Sequence, residues 1–208
     1  MSGKNKKRTA VLVSGGGTNL QAILDAKQQG DLPHADIALV LSSCKDAFAL
    51  TRAKKMSIPT ETLADIDFGG RDNDNFDIDG YDEALLPLLK KYNIEIIVLA
   101  GFLVILGKKV IAEYKDKIIN IHPSLIPSFC GEGYYGLFVH EAALKRGVKI
   151  TGATVHFVDE IIDGGKIILQ KAVEVKENDT PESLQKRVME EAEWEILPKA
   201  LEIVCGRY

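Results

Sequence analysis

Four short runs of apolar residues, separated by stretches with helical spacing, constrain the fold of this chain more than any other feature. The runs are Thr9–Ser14, Asp36–Leu41, Glu95–Ala100 and Ile118–His122. Continuous apolar strands are typical of a parallel sheet buried on both faces, because a solvent-exposed face would need polar residues at alternate positions. The helical stretches supply the crossover connections that parallel strands require. The pattern therefore predicts an α/β fold with a doubly wound, mostly parallel, Rossmann-like sheet.

The pattern changes in the last third of the chain. Lys149–Val158 and Lys166–Val175 flank a turn at Asp163-Gly164-Gly165, which predicts an antiparallel pair in the C-terminal part of the sheet. Asp179–Ile203 is amphipathic and is predicted to form one helix that starts at a Thr-Pro pair. No linker or internal repeat is visible, so we expect residues 1–208 to form a single domain.

Charge and composition argue against several classes of function. The 208 residues are 46% hydrophobic and carry a net charge of −4, which gives a nucleic-acid-binding face no support. The basic cluster Lys4–Arg8 is interpreted as a solvated tail. No run approaches the roughly 20 apolar residues that a membrane span needs. The three cysteines are far apart and form neither a metal-ligand spacing nor a disulfide framework, which indicates a reducing cytoplasm.

The first strand ends in a glycine-rich loop, Ser14–Leu20, that leads into a helix. Glycines allow the backbone to turn tightly and to approach a ligand, and the unpaired N–H groups of a helix start favour a phosphate. Thr18 and Asn19 add side-chain donors. A tight turn without a ligand is the structural alternative. Three consecutive glycines favour a phosphate site that includes Gly16 and Gly17.

A dinucleotide-binding fold is the obvious alternative for this loop, and the residues fit it poorly. The third glycine of the dinucleotide fingerprint would fall at Leu20. The second strand ends Leu41-Ser42-Ser43-Cys44, without the acidic residue that holds a ribose. No Walker-type Gly-Lys-Ser or Gly-Lys-Thr follows the loop either. A phosphate carried by a small metabolite therefore fits better than NAD or ATP.

An amide and an imidazole lie two residues apart at the end of the fourth apolar strand. Residues i and i+2 of a strand point to the same face, so Asn120 and His122 are predicted to reach one shared space, with Pro123 ending the strand. Two convergent hydrogen-bond donors suit the oxyanion of an acyl transfer. Taken singly, His122 is as well explained as a core histidine, and Asn120 as a side-chain cap.

Asp163 is the third candidate for chemistry. The two glycines that follow it permit a sharp turn that would aim its carboxylate inward, and the preceding strand places His156 near this region. An ordinary Asp-Gly turn is the simpler explanation for Asp163 alone. The combination of Asp163 with Asn120 and His122 is what favours a catalytic site.

Residues 65–80 form a stretch rich in glycine and aspartate. The stretch superficially resembles a calcium-binding loop. It lacks the regular ligand spacing and the closing bidentate glutamate, so a surface loop without a metal is the expectation.

Six segments follow one another in the order of a known family's motifs. They are Val13–Ile23, Leu99–Phe102, Asn120–Pro127, Gly152–Val158, Asp163–Gly165 and Ile168–Gln170. On these residues the chain resembles the folate-dependent formyltransferases over nearly its whole length. The Asn-x-His-Pro-Ser-Leu core with a distal Asp is specific to the superfamily. The glycine loop with Thr18-Asn19 is similar to the members that act on a phosphoribosyl glycinamide.

The resemblance implies a reaction in de novo purine synthesis. A formyl group would pass from 10-formyltetrahydrofolate, the co-substrate, to the amine of a ribonucleotide glycinamide. Asn120 and a protonated His122 would hold the oxyanion, and Asp163 would keep His122 charged and relay protons. The N-terminal half, about residues 9–100, would bind phosphate, and residues 101–208 would bind folate and catalyse the transfer.

The resemblance also implies the binding residues. Gly16, Gly17, Thr18 and Asn19 would hold the substrate phosphate, and Glu193 would contact its ribose. The folate pocket would be lined by residues of two segments and by the catalytic amide. These residues are Leu103, Val104, Ile105, Leu106, Asn120, Val158, Asp159 and Glu160.

Several positions depart from the family pattern. A basic residue is usual at Val104, and a histidine is common at Trp194. If Tyr81-Asp82 is the anchor, the substrate-side arginine of the family aligns with Ile78. Arg71 could replace it only if the acidic stretch is an insertion. A lysine expected near residue 190 meets Glu190 or Met189. These departures affect the predicted contacts to substrate and folate and leave the chemistry intact.

Related enzymes and a binding protein are the competing functions. The deformylating hydrolase carries an additional N-terminal domain and the initiator-tRNA formyltransferase an additional C-terminal domain, and we expect room for neither. A sugar-nucleotide formyltransferase usually lacks the phosphate loop. A non-catalytic nucleotide- or folate-binding protein would not need Asn120, His122 and Asp163 together. We expect a cytoplasmic monomer or homodimer that binds only small molecules.

Overall fold

A seven-stranded sheet with helices on both faces organises the molecule. The computed structural model describes residues 6–69 and 76–208. The strands are β1 (Lys7–Val13), β2 (Ala35–Ser42), β3 (Thr60–Thr62), β4 (Ile96–Leu99), β5 (Ile118–His122), β6 (Ile150–Phe157) and β7 (Ile167–Glu174). The helices are α1 (Thr18–Gln29), α2 (Phe48–Lys55), α3 (Ile78–Lys91), α4 (Lys108–Glu113), α5 (Leu137–Arg146), α6 (Pro181–Val188) and α7 (Trp194–Cys205).

The strand order of the sheet is β3-β2-β1-β4-β5-β6-β7. Strands β1 to β5 pair in parallel, and β6 and β7 pair antiparallel to their neighbours. The predicted doubly wound, mostly parallel sheet with an antiparallel C-terminal part is therefore confirmed. The chain moves outward from β1 to β2 on one side and continues from β4 on the other. Open α/β sheets bind ligands at the carboxyl ends of the strands where such a change of direction occurs.

Two apolar clusters cover the faces of the sheet. On one face, Val11, Val98 and Ile119 pack with residues of α1, α2 and α5 to α7. On the other face, Leu12 and Ile97 pack with residues of α3 and α4. Neighbouring residues of each strand thus contribute to opposite clusters. Each fully buried Leu, Ile or Val side chain contributes about 1.5–3 kcal/mol of hydrophobic stabilisation, so the central strands are held rigidly from both sides.

The helix predicted over Asp179–Ile203 is not continuous. Helices α6 and α7 are separated by a π-helical turn at Met189–Glu193. A π turn adds one residue to the local hydrogen-bonded ring, and such turns occur frequently at functional sites. Here the turn buries Glu193 against α1, as described below.

The stretch predicted as a loop over residues 65–80 ends earlier than expected. Residues 78–80 belong to α3, because the side chain of Asp77 accepts a hydrogen bond from the Gly80 N–H and caps the helix. Arg71, the possible replacement for a substrate-side arginine, lies outside the described residues. Within the described part of the chain, no helix is long and apolar enough to cross a membrane.

Candidate active site

Residues 14–19 connect β1 to α1 and are called the anion loop below. Helix α2 holds this loop from one side. The Ala49 N–H donates to the Gly15 carbonyl at 3.1 Å, and Arg52 Nε–H donates to the Gly16 carbonyl at 2.8 Å. In a trans peptide the N–H of the next residue points opposite to the carbonyl. The N–H groups of Gly16 and Gly17 therefore point away from α2, an arrangement that binds anions.

Gly17 is the position where the loop meets α2 most closely. It caps α1 in the left-handed region, with φ of 72°. A Cβ atom there would lie 2.6 Å from the Cβ of Ala49, which is closer than van der Waals contact allows. Only glycine therefore permits both this backbone conformation and the close packing of α2.

Asn19 and Glu193 form a buried pair beside the anion loop. Asn19 Nδ2 donates to Glu193 Oε2 at 2.6 Å, and the two residues are only 8% and 6% exposed. Burial raises the pKa of Glu193 to about 7, against the opposing effect of the Asn19 hydrogen bond. Asn19 Oδ1 is buried and has no hydrogen-bond partner among the described residues. The pair thus presents an unsatisfied acceptor and a carboxyl group that titrates near neutrality, both suited to a ligand hydroxyl.

The second part of the site is a group of four side chains, called the catalytic cluster below: Asn120, His122, His156 and Asp163. Asn120 and His156 are directly opposite each other on β5 and β6, and Asn120 Nδ2 lies 3.1 Å from His156 Nε2. Asp163 Oδ2 lies 3.4 Å from His122 Nδ1, and its Oδ1 lies 3.5 Å from His156 Nε2. The structure therefore brings the three residues selected from the sequence into one place and adds His156.

A turn after β6 directs the Asp163 carboxylate into the cluster. Asp163 has a φ of 55°, a left-handed conformation that aspartate tolerates better than most residues. Its Oδ2 accepts a hydrogen bond from the Gly131 N–H at 2.9 Å. Burial opposes ionisation, but the His156 hydrogen bond, the His122 charge and the Gly131 N–H outweigh it and lower the pKa of Asp163. The carboxylate is therefore ionised at neutral pH.

The hydrogen bonds of the two histidines fix the orientation of their rings. His122 Nε2–H donates to the Phe129 carbonyl at 2.8 Å, so Nδ1 faces Asp163. His156 Nδ1–H donates to the Phe157 carbonyl at 2.8 Å, so Nε2 faces the Asn120 amide and the Asp163 carboxylate. Each ring thus presents its second nitrogen to the centre of the cluster.

The protonation state of His122 differs from the sequence-based expectation. Burial lowers its pKa and outweighs the opposing effects of Asp163 and of the Phe129 carbonyl. A lowered pKa favours the neutral ring near pH 7, in contrast to the protonated imidazole that the family resemblance implies. A neutral His122 carries a lone pair on Nδ1, which makes it a base rather than a permanent cation.

The residues predicted for the folate pocket lie on two neighbouring segments. Leu103 and Ile105 are exposed, whereas Val104 and Leu106 are buried in the same apolar cluster that Val158 packs against. The segments are positioned by backbone contacts. Leu103 N–H donates to Ser14 Oγ at 2.9 Å, and Val158 N–H donates to the Ile118 carbonyl at 2.9 Å.

An ion pair connects these two segments. Lys108 Nζ, directly after the first segment, lies 3.5 Å from Glu160 Oε2 on the second. Asp159 lies in the same second segment, where its carboxylate accepts from the Ile161 N–H. The predicted residues therefore lie on two segments that this ion pair joins.

Several contributors to the site have no signal in the sequence. Phe129 and Gly131 act through backbone groups, and Phe129 adopts a left-handed φ of 49°. Arg52 holds the anion loop from a different helix. His140 on α5 is fully buried, neither ring nitrogen has a partner among the described residues, and burial followed by the nearby His122 charge lowers its pKa to about 4. Only a three-dimensional structure associates these groups with the cluster.

The described residues contain no group of three or more His, Cys, Asp or Glu side chains arranged to hold a metal ion. The calcium alternative for residues 65–80 therefore gains no support from the part of that stretch that the structure describes. The described site residues are amide, imidazole and carboxylate groups beside a glycine-rich loop.

An open α/β sheet with this amide, imidazole and carboxylate arrangement defines an acyl-transfer type of site. The family model for formyl transferase matches residues 7–201, and the chain belongs to that family. It is 41% identical to phosphoribosylglycinamide formyltransferase of Haemophilus influenzae, over 92% of this chain and 84% of that protein. It also resembles the crystal structure of glycinamide ribonucleotide transformylase 1 from Symbiobacterium toebii, with a TM-score of 0.85, 36% identity and coverage of 100% of this chain and 94% of that chain.

Longer relatives also match the whole of this chain. It is 41% identical over 98% of its length to the human trifunctional purine biosynthetic protein adenosine-3, where it corresponds to 19% of that protein. In the Chironomus tentans protein of the same name it corresponds to 14%. The chain therefore spans less than a fifth of the length of these trifunctional relatives.

Proposed function

We propose that this protein transfers a formyl group from 10-formyltetrahydrofolate to the amine of 5'-phosphoribosylglycinamide, a step of de novo purine synthesis. The observation that carries this proposal is the meeting of Asn120, His122 and Asp163 at the carboxyl end of β5, in the same sheet edge as the anion loop after β1. A phosphate held by the loop leaves the far end of a small substrate within reach of the cluster.

The transfer needs a base, an oxyanion donor and a proton donor. The neutral amine attacks the formyl carbon, and the new C–N bond produces a tetrahedral intermediate with a negatively charged oxygen. Asn120 uses one amide N–H for His156 and retains the other for this oxygen. Removing such a donor costs about 10²–10³ in rate.

The proton moves from the attacking amine to the leaving nitrogen. His122 Nδ1 takes it from the amine, and the ionised Asp163 beside Nδ1 stabilises the resulting imidazolium. The same proton then passes to N10 of the folate as the C–N10 bond breaks. The neutral resting state of His122 serves this cycle, because the ring must accept a proton before it can donate one.

The phosphate and ribose contacts follow from the anion loop. The N–H groups of Gly16 and Gly17 and the hydroxyl of Thr18 bind the phosphate. Asn19 Oδ1, buried without a partner, and the Glu193 carboxyl group bind ribose hydroxyls. Satisfying these buried polar groups favours a hydroxylated phosphoester over inorganic phosphate alone.

The folate occupies the space between residues 103–106 and 158–160. Main-chain groups of Leu103 to Leu106 and of Val158 to Glu160 supply polar contacts to a pterin, and the apolar side chains supply its walls. In this arrangement residues 9–100 provide the phosphate half of a single domain, and residues 101–208 the folate half. We expect the protein to act in the cytoplasm as a monomer or homodimer without nucleic acid.

A transfer assay with competing acceptors tests the proposal. The purified chain is mixed with 10-formyltetrahydrofolate and offered glycinamide ribonucleotide, water or a sugar-nucleotide amine as acceptor. We expect formylation of glycinamide ribonucleotide only, measured as release of tetrahydrofolate and as mass of the product. Release of formate with no formylated amine would instead indicate a hydrolase and would refute the proposal.

A further inference from the structure

Arg52 carries a positive charge that no carboxylate of the described residues neutralises. Its Nε–H donates to the Gly16 carbonyl at 2.8 Å and its Nη1–H to Gln21 Oε1 at 2.9 Å, and both acceptors are neutral. The guanidinium lies 5.0 Å from the centre of the Phe48 ring. Within the described part of the chain, no Asp or Glu oxygen lies within the 4.0 Å of an ion pair. The guanidinium is therefore held beside the loop by neutral acceptors and an aromatic ring rather than by an ion pair.

Arg52 shares an open cavity with the anion loop. The cavity has a volume of about 500 Å³ and is lined by both Thr18 and Arg52. Lys199 also lines the cavity, and its Nζ forms an ion pair with Glu195 Oε1 at 3.0 Å. The lining carboxylate of Asp25 accepts from Gln21 Nε2 at 2.8 Å. Among the described residues, Arg52 is therefore the lining cation that has no carboxylate partner.

The geometry of the side chain matters as much as its charge. By holding the Gly16 carbonyl, Arg52 turns the N–H of Gly17 in the opposite direction, which is the direction of the anion. A planar guanidinium holds its two acceptors, the Gly16 carbonyl and Gln21 Oε1, at fixed angles. Lysine carries a point charge on a flexible side chain and cannot hold the same two acceptors in a fixed geometry.

We propose that Arg52 is a positioning residue for the substrate phosphate: it fixes the anion loop through the Gly16 carbonyl, so that the Gly17 N–H points to the phosphate. This inference rests on the proposed function, because it assigns the residue that shapes the phosphate site. It gives α2 a role in substrate selection, favouring phosphorylated acceptors over their dephosphorylated analogues.

Substitution at Arg52 tests the inference through a split between kinetic constants. Arg52→Gln should raise the KM for the phosphorylated acceptor about 10- to 100-fold, the range of a lost charge-assisted hydrogen bond. Its kcat and its KM for the folate should stay within about twofold of the unsubstituted protein. Lys55→Gln removes the same charge from an exposed residue of the same helix and should leave every constant unchanged. An unchanged KM in Arg52→Gln would overturn the inference.

Two further measurements separate positioning from charge alone. Arg52→Lys keeps the charge and loses the fixed fork, so we expect its KM to stay at least about fivefold above that of the unsubstituted protein. Equal KM values would overturn the positioning role. A dephosphorylated acceptor should show the same KM with both proteins. A rise with Arg52→Gln there too would mean that the substitution distorts the site generally, and would also overturn the inference.

Binding of inorganic phosphate gives a result that does not depend on catalysis. Calorimetric titration should show weaker phosphate binding by Arg52→Gln than by the unsubstituted protein, while thermal unfolding confirms that both are folded. An unsubstituted protein that binds phosphate through Arg52 without transferring formyl groups would refute the proposed function and leave the Arg52 assignment intact. An active protein whose phosphate binding is unchanged in Arg52→Gln would refute the Arg52 assignment and leave the proposed function intact.

Discussion

The anion loop and the catalytic cluster, at the same edge of one sheet, are built in opposite ways. The loop consists of six consecutive residues, 14–19, whose backbone groups are held by α2 and by the start of α1. The cluster consists of side chains from β5, β6 and the turn after β6, held by one another and by two backbone groups. A backbone site depends on geometry, so its defects should weaken binding. A side-chain site depends on protonation, so its defects should slow the chemistry.

The two regions also differ in their charged groups. At the loop, the guanidinium of Arg52 has no carboxylate partner among the described residues. In the cluster, the ionised Asp163 lies against two buried histidines, each of which has one ring nitrogen bonded to a backbone carbonyl and the other facing the carboxylate. In the proposed function, the loop binds an anion and the cluster accepts a proton.

Replacing His122 breaks the cluster most severely. His122→Ala removes the proton carrier of the transfer, and we expect kcat to fall by about 10²–10⁴, the usual contribution of general acid–base catalysis. The KM for the phosphorylated acceptor should change little, because the loop is intact. Steady-state kinetics gives both constants. His34→Ala, which removes a histidine paired with Glu202 at the opposite end of the sheet, is the control and should retain full kcat. Comparable activity in His122→Ala would exclude the assigned role.

Glu193 is the buried titrating group on the loop side, and its removal tests whether that side also responds to pH. Its pKa rises from the usual 4.5 to about 7 in the folded protein, so the unfolded chain ionises first as pH rises. Stability is therefore lost between pH 4.5 and about 7, by about 3 kcal/mol at 1.36 kcal/mol per pKa unit. Glu193→Gln keeps an acceptor for Asn19 and does not titrate.

Urea unfolding at several pH values measures this difference. The unfolding free energy of Glu193→Gln should increase relative to that of the unsubstituted protein as pH rises from 4.5 to above 7. Outside that pH range, the difference between the two proteins should be constant. A constant difference across the whole range would mean that Glu193 is not shifted by burial.

Gly17 tests whether the loop is a site of pure geometry. Gly17→Ala adds a methyl group against Ala49 and strains a left-handed residue, so we expect the KM for the phosphorylated acceptor to rise at least about tenfold with kcat preserved. Gly30→Ala is the matched control, because Gly30 has a similar φ of 86° at the other end of α1 and open space around its Cβ. It should cost about 1 kcal/mol of stability and leave KM unchanged. Equal KM values for the two variants would show that the contact with α2 does not shape the loop.

The smallest expected effect is a shift of the acidic limb of the pH–rate profile, which reports on the cluster and not on the loop. Burial lowers the pKa of His122 below its usual 6.5, so the neutral ring, and with it kcat/KM, should persist as pH falls through 6.5. The limb should be displaced further toward acid in Asp163→Asn, because that carboxylate raises the pKa of His122. A limb centred above pH 6.5 in the unsubstituted protein would contradict a neutral resting imidazole.

The parts of the fold that follow from local residue pattern were predictable. Continuous apolar runs identified β1, β2, β4 and β5, since strands covered on both faces admit few polar residues. The π turn at Met189–Glu193 was missed, because the residues around it keep an amphipathic helical spacing. Residues 78–80 were predicted as loop because Asp and Gly favour turns, yet the side chain of Asp77 starts a helix there.

The two regions also differ in how well they could be predicted from the sequence. The anion loop is contiguous, and its glycines report directly on backbone conformation. The association of Asp163 with His122 depends on a turn after β6 and on the pairing of β5 with β6, which no local spacing encodes; the prediction rested on family resemblance. The Phe129 carbonyl and the Gly131 N–H act through the backbone, which leaves no side-chain signature.

The central claim is that the His122–Asp163 pair moves the proton during formyl transfer while the anion loop only holds the substrate. Single-turnover transfer by Asp163→Asn, with both substrates saturating, tests it most directly, because binding and product release do not enter the measured rate. We predict a rate about 10²–10⁴ lower than that of the unsubstituted protein, with unchanged affinity for inorganic phosphate. A single-turnover rate within about twofold of the unsubstituted protein would contradict the account.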